Sequence, residues 1–255
     1  MNIIIYIFTF LFGACVGSFL NVVIYRLPRK RKFLDFQQRS KCPRCRHLLS
    51  FWDLIPVFSF IFLKGKCRFC RKRISWQYPL VELMTGLIFV LIYWQYGLAW
   101  QSLIGLIGVS VLIVLAFIDG LHKIVPDQIS LPAIAIIFCL QILVNPGEYL
   151  SLILGGIFGA TWFWLQWLIS KGKWVGSGDI RLGALLGVFL GLGSALLAIF
   201  SAYIIGSLWA IQLLIRGKVR LKSQLPFGIF LGILGIVCFI FGPEVVSWYR
   251  ELIGL

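Results

Sequence analysis

Residues 3–25 read IIIYIFTFLFGACVGSFLNVVIY, with no charged side chain from Ile3 to Tyr25. A run of this length and composition, wound as a helix, is long enough to cross the ~30 Å hydrocarbon core of a bilayer. No basic residue precedes Arg26, so the run lacks the positive head of a secretory signal. Phe12-Gly13-Ala14-Cys15 only faintly resembles a lipoprotein cleavage site, and the run is read as a retained transmembrane helix.

The same reading extends along the chain. Apolar segments recur at roughly 79–96, 99–118, 128–145, 150–169, 181–192, 194–215 and 226–243. The 181–192 segment is short for a full span and meets its successor near Gly191 and Gly193. Of the 255 residues, 60% are hydrophobic and 13% charged, against about 45–50% and 25% in soluble domains. A soluble fold of this size has too much surface to hide so much apolar area, and disorder is excluded on the same ground. The expected fold is all-α, a polytopic membrane protein of about eight transmembrane helices with lipid as its solvent and no internal repeat. Its expected divisions are residues 1–28, a first membrane helix; 29–78, a basic cysteine loop; and 79–255, the membrane core.

Charge then orients the chain. Lys and Arg number 24 against 9 acidic residues, a formal +15. Fourteen of the basic residues fall between Arg29 and Arg73 beside only Asp35 and Asp53. A basic loop between apolar runs marks a cytoplasmic membrane loop, which sets nucleic-acid binding aside. With loop 29–78 in the cytoplasm and sides alternating at each span, Lys123, Lys171, Lys173, Arg181, Arg216, Lys218, Arg220 and Lys222 all fall on that side or at its edge. Only Arg250 is left outside.

Within the basic loop stand Cys42-Pro43-Arg44-Cys45 and Cys67-Arg68-Phe69-Cys70. Four thiolates in two CxxC turns match tetrahedral zinc, and the surrounding cations favour thiolate. A disulfide pair or a redox motif is the alternative. A reducing cytoplasm opposes the first, and no thioredoxin-like unit accompanies the second. The expected zinc is structural, on Cys42, Cys45, Cys67 and Cys70, with His47 a spare surface residue. Cys15, Cys139 and Cys238 are expected to pack inside helices.

Ionisable groups at membrane depth are costly and point to function. Asp119 ends one apolar segment in Phe117-Ile118-Asp119-Gly120, and Asp179 opens another in Gly176-Ser177-Gly178-Asp179. Two expected spans separate them, so parity puts both at the cytoplasmic edge. Two carboxyl groups sharing a site cannot both ionise cheaply. One can then take a proton from water while the other donates to a carbonyl, as in aspartic proteolysis. The glycines beside Asp179 would let a substrate backbone come close. The plainer reading makes both residues interfacial, with Asp179 capping a helix. Asp127, after Pro126, is expected as an N-cap, and Glu82 as an interfacial residue or a partner of the basic loop.

These residues together resemble the type IV prepilin peptidases. The resemblance runs through Gly13-Ala14-Cys15-Val16-Gly17-Ser18-Phe19-Leu20-Asn21, onward to Pro28, and both CxxC pairs. It continues through Asp53-Leu54-Ile55-Pro56-Val57, Tyr78-Pro79-Leu80-Val81-Glu82-Leu83, Asp119 with Ile124-Val125-Pro126-Asp127, the GxGD motif at Gly176 to Asp179, and Pro226-Phe227-Gly228. It implies a membrane aspartic endopeptidase with Asp119 and Asp179 as its catalytic pair. The implied substrates are prepilins or pseudopilins of pilus, type II secretion or competence systems, cut after Gly just before an apolar helix. It also implies N-methylation of the new terminus from S-adenosylmethionine, although this chain has no Rossmann-type glycine turn and some relatives act without methylation. Leu121 stands where the family often has a second acidic residue, and Arg181 where Lys is usual; neither belongs to the proposed pair. The rival reading is an ion-path transporter using the two aspartates, against which the helices offer few other polar groups. A scaffold docking through the cysteine loop is a third reading.

Overall fold

The computed structural model describes residues 3–29, 40–218 and 225–254. Residues 30–39 of the basic loop, and Arg220 and Lys222, which entered the orientation argument, lie outside them. Among the described residues seven helices are long and apolar enough to cross a membrane, which makes this a multi-pass membrane protein. By its internal packing the chain forms two compact units, Met1–Leu98 and Ala99–Leu255.

In the first unit, helix α1 (Ile3–Arg26) and helix α3 (Gln77–Tyr96) pair antiparallel, with the cysteine loop and the short helix α2 (Phe58–Phe62) between them in sequence. Small residues make the pairing close, since lipid gives helices no hydrophobic reason to associate. A Cβ on Gly13 would stand 2.9 Å from the Gly86 Cα, and one on Gly17 2.8 Å from the Glu82 Cα. Tyr6 meets Tyr93 edge-on at 5.3 Å, further along the same seam.

The loop contains a repeat that the sequence reading missed. Cys42 N–H donates to His47 O and Arg46 N–H to Cys42 O; Cys67 N–H donates to Lys72 O and Arg71 N–H to Cys67 O. Leu49 N–H to Ser40 O and Ile74 N–H to Gly65 O close the two turns alike. Arg46 and Arg71, each just after its second cysteine, both have positive φ, 59° and 54°. The repeat lies in backbone geometry, and only the cysteines and following arginines mark it in sequence.

The second unit holds α4 (Trp100–His122), α5 (Asp127–Val144), α6 (Tyr149–Ser170), α7 (Ser177–Ile215) and α8 (Gly228–Ile253). The two expected segments 181–192 and 194–215 are joined in the 39-residue α7, broken at Gly191, where φ is 73° and ψ 171°. Side-chain partners show a reversal there. Gly183, Gly187 and Gly191 lie against Gly159, Gly155 and Ser151 of α6, which runs the opposite way. Past the break, Phe200 and Tyr203 meet Trp162 and Phe163 in the same order as α6. The two arms of α7 are therefore antiparallel, and the seven helical elements correspond to the eight expected segments.

Breaking a helix in an apolar interior strands backbone groups, which must be satisfied by protein. The Gln141 side chain donates to Phe189 O at 2.8 Å, and Leu192 N–H donates to Ser151 Oγ at 3.1 Å. The α6–α7 seam leaves no room for side chains: a Cβ on Gly187 would fall 2.0 Å from Gly155 O, and one on Gly159 2.1 Å from Gly183 O. The outer face of α6 carries exposed Ile157, Trp164 and Leu168, as a lipid-facing surface should.

Cys238 is buried as expected, but Cys15 and Cys139 are exposed on the outer faces of α1 and α5. Apolar character put them in helices; it could not tell the lipid-facing side from the packed one.

Gly187→Ala should lower the thermal unfolding midpoint by the equivalent of roughly 1–3 kcal/mol, the cost of overpacking a tight seam. Gly147→Ala, where an added Cβ meets nothing within 4 Å, should change stability by less than about 0.5 kcal/mol. Thermal melts of the purified protein in one detergent compare the two directly.

Candidate active site and cysteine centre

Asp119 sits in the last turn of α4 and Asp179 in the first turn of α7. Both are nearly buried, 7% and 8% exposed, and they are close enough for the Asp119 charge to act on Asp179. The fold thus brings together the two carboxyl groups singled out from sequence. Local structure ends α4 just past Asp119: Lys123 turns left-handed (φ 54°), and its N–H donates to Asp119 O at 2.7 Å.

The two carboxylates are held by backbone. Gly176 N–H donates to Asp179 Oδ2 at 3.0 Å, so the capping role of the plainer reading is real and coexists with the pairing. The Gly228 and Ile229 N–H groups, at the start of α8, act on the Asp119 carboxylate, where the helix dipole favours negative charge. Asp119 Oδ2 is buried without a hydrogen-bond partner. A Cβ on Gly228 would stand 2.8 Å from that oxygen, which explains the glycine in Pro226-Phe227-Gly228.

The glycines of GxGD divide their tasks. A Cβ on Gly178 would strike Val125 at 2.7 Å, whereas one on Gly176 would meet nothing closer than 3.6 Å. The space at Gly178 is used by the protein's own loop, and only Gly176 leaves an approach open.

Asp127 is the first residue of α5 and not its N-cap, which is Pro126. Its carboxylate pairs with Arg181, whose guanidinium also donates to Val125 O at 3.3 Å. This pair links the α4–α5 turn to the foot of α7, two residues beyond Asp179. Tyr203 lies within electrostatic reach of Asp179, and its hydroxyl donates to Gln166 Oε1 at 2.8 Å. Sequence reasoning missed Tyr203 and Gln166, because a single polar residue inside an apolar helix gives no sign of which side it faces.

In the first unit the ligand atoms of Cys42, Cys45, Cys67 and Cys70 all lie within 4.8 Å of one another, a set that could hold a metal ion. Burial opposes the Cys42 thiolate, but the Cys45 and Arg44 N–H groups and the neighbouring sulfurs bring its pKa down to about 7. Cys45 accepts from the His47 backbone, yet desolvation and the other sulfurs push it up to about 11. Four thiols so close cannot all ionise alone, and a divalent cation would remove the conflict. His47 stands outside the sulfur set, its ring on Phe69 at 3.4 Å.

Asp53 braces the same loop. Its side chain is 3% exposed and pairs with Arg68 Nε at 3.0 Å, while Oδ2 accepts from Ser50 Oγ at 2.7 Å and Ser50 N–H at 3.1 Å. Burial works against its charge, but Ser50 and then Arg68 and His47 hold its pKa below the ordinary value. Glu82 is buried in α3, and Oε2 accepts the Val57 N–H at 2.8 Å. It does pair with the basic loop, though through backbone and not through charge.

Residues 11–96 match the Bacterial Peptidase A24 N-terminal domain, and residues 106–211 the Type IV leader peptidase family. The chain belongs to the type IV leader peptidase family. Among its relatives are a prepilin leader peptidase/N-methyltransferase of Neisseria gonorrhoeae, 36% identical over 93% of this chain and 92% of the relative. Another of the same description, from Pseudomonas aeruginosa, is 32% identical over 96% and 93%. No solved structure matches the chain.

Because the Asp53 pKa is lowered on folding, its stabilising contribution is complete above the ordinary aspartate range near pH 4 and is lost as pH falls through its own lower pKa. Asp53→Asn should therefore unfold at lower temperature than the natural sequence at pH 7, with the gap closing as the solution is acidified below the ordinary aspartate range. Melts across that range check the sign.

Proposed function

We propose that this chain is a membrane aspartic endopeptidase that removes the leader from prepilins or pseudopilins and then methylates the exposed amino group. What supports the reading is the meeting of Asp119 and Asp179, buried and in mutual electrostatic reach, in a chain about a third identical to prepilin leader peptidase/N-methyltransferases over nearly its whole length. One carboxylate takes a proton from water as its oxygen attacks the scissile carbonyl. The other carboxyl gives its proton to the carbonyl oxygen, and collapse of the tetrahedral adduct delivers a proton to the leaving nitrogen. Low solvent access strengthens each of these transfers.

The substrate's apolar helix lies in the bilayer, with its leader and scissile bond at the cytoplasmic edge. The excess of Lys and Arg in the segment from Arg29 to Arg73 supports that side for the loop. Zinc on Cys42, Cys45, Cys67 and Cys70 is structural, because four protein ligands leave no coordination position for substrate. Methylation needs a donor such as S-adenosylmethionine, which supplies an electrophilic methyl group on a sulfonium.

Asp119→Asn and Asp179→Asn should each reduce leader removal from a purified prepilin by at least about 10³-fold, while thermal melts show a folded protein. Near-normal cleavage by either variant would defeat the mechanism. Freshly purified protein should contain one zinc per chain. Cys42→Ser should lower that content and open residues 40–76 to protease, read by metal analysis and limited proteolysis.

A further inference from the structure

Helix α3 has no length to spare. Its 20 residues, Gln77–Tyr96, rise about 30 Å, the ~30 Å thickness of the hydrocarbon they cross. Its first turn therefore stands at one edge of the bilayer. Trp76, Leu80, Leu83 and Leu87 are all exposed. They recur at helical spacing, so they form one lipid-facing stripe with Trp76 at its head.

Helix α2 is fastened beside that edge. Val57, which opens α2, donates its N–H to Glu82 Oε2 at 2.8 Å, about a turn and a half inside α3. The Phe60 ring meets the Trp76 ring at 4.9 Å. Val57 adopts φ 62° and ψ −50°, an outlier for a β-branched residue, and the Glu82 bond holds it there. A helix tied at both points cannot stand off in water. It lies level with the headgroups.

The two sides of α2 differ. Ser59, Phe60 and Leu63 turn inward, toward the rest of the loop. Phe58, Ile61 and Phe62 share the other face by their i, i+3, i+4 spacing, and are 48%, 62% and 81% exposed. Shortly before them Phe51 and Trp52 are exposed too, their rings edge to face at 6.1 Å. So many large apolar side chains on one short segment mark an interaction surface. Directly after α2 come Lys64, Lys66, Arg68, Arg71, Lys72 and Arg73, all exposed and with no acid among them.

We infer that residues 51–66 form an interfacial anchor for an anionic phospholipid surface. Phe58, Ile61 and Phe62 enter the leaflet beside α3, and Lys64 and Lys66 engage its headgroups. Rings and cations side by side suit that zone, and the apolar face of α2 continues the lipid-facing stripe of α3. A second copy of the chain would bring the same cations to this patch and be repelled. The anchor is separate from the peptidase chemistry, and it fixes the height of the cysteine centre above the bilayer.

The test places the full-length protein, one chain per disc, in lipid nanodiscs. The probes are phosphatidylglycerol and phosphatidylcholine, each carrying a diazirine near the headgroup end of one acyl chain. Phosphatidylglycerol should photolabel peptides from 51–63 together with the Leu80–Leu87 stretch of α3. Phe58→Ser combined with Phe62→Ser should cut the label on 51–63 about fivefold or more, while the α3 label is retained. Lys64→Ala with Lys66→Ala, or added salt, should bring phosphatidylglycerol labelling down to the phosphatidylcholine level. If the natural protein labels on α3 but not on 51–63, the anchor does not exist. That result, with 51–63 cross-linking to a second chain in discs that hold two, would make the patch a self-interface instead. Equal labelling by the two lipids, indifferent to salt, would overturn the anionic surface as its partner.

Discussion

An N–H or C=O group left unpaired in an apolar interior costs several kcal/mol, and α7 exposes such groups by breaking at Gly191. Two side chains from other helices meet the cost, Gln141 at Phe189 O and Ser151 at the Leu192 N–H. The reversal they permit lays the first arm of α7 along α6, glycine against glycine. Asp179 stands at the foot of that arm. Without the paired break, α7 would continue as one 39-residue rod, and neither Gly183 nor Gly187 would face α6 as they do.

From that placement the carboxylate geometry follows. The start of α8 brings the Gly228 and Ile229 N–H groups to Asp119, and the α4–α5 turn is tied to α7 through Asp127 and Arg181. Three chain segments distant in sequence converge on two acid groups. The contacts made to the two acid groups themselves come from backbone N–H groups, so little conformational freedom remains at the pair. Asp119 Oδ2 is buried without a hydrogen-bond partner.

The first unit reaches order by other means. Its two cysteine turns are copies of one backbone motif, and Asp53 with Ser50 and Arg68 braces the chain between them. A cluster of four cysteines, a carboxylate–guanidinium pair and the Glu82–Val57 bond stand in for the apolar core that so short and basic a loop cannot form.

Apolar length was enough to read the membrane helices and the polar loop, though it counted the two arms of α7 as separate helices, because lipid imposes the same demand on every spanning residue whatever its neighbours. The CxxC spacing and the scarcity of acids at membrane depth were likewise enough to single out Cys42, Cys45, Cys67, Cys70, Asp119 and Asp179. Which face of each helix packs was not legible: Cys15 and Cys139 turned outward, Tyr203 turned inward, and Asp127 left its expected cap for Arg181. Neither was the use of Gly178 by Val125, or of Glu82 by Val57. A local pattern records what a residue costs in lipid, but the partner that offsets that cost is brought up by a distant part of the chain, so it exists only in the folded molecule.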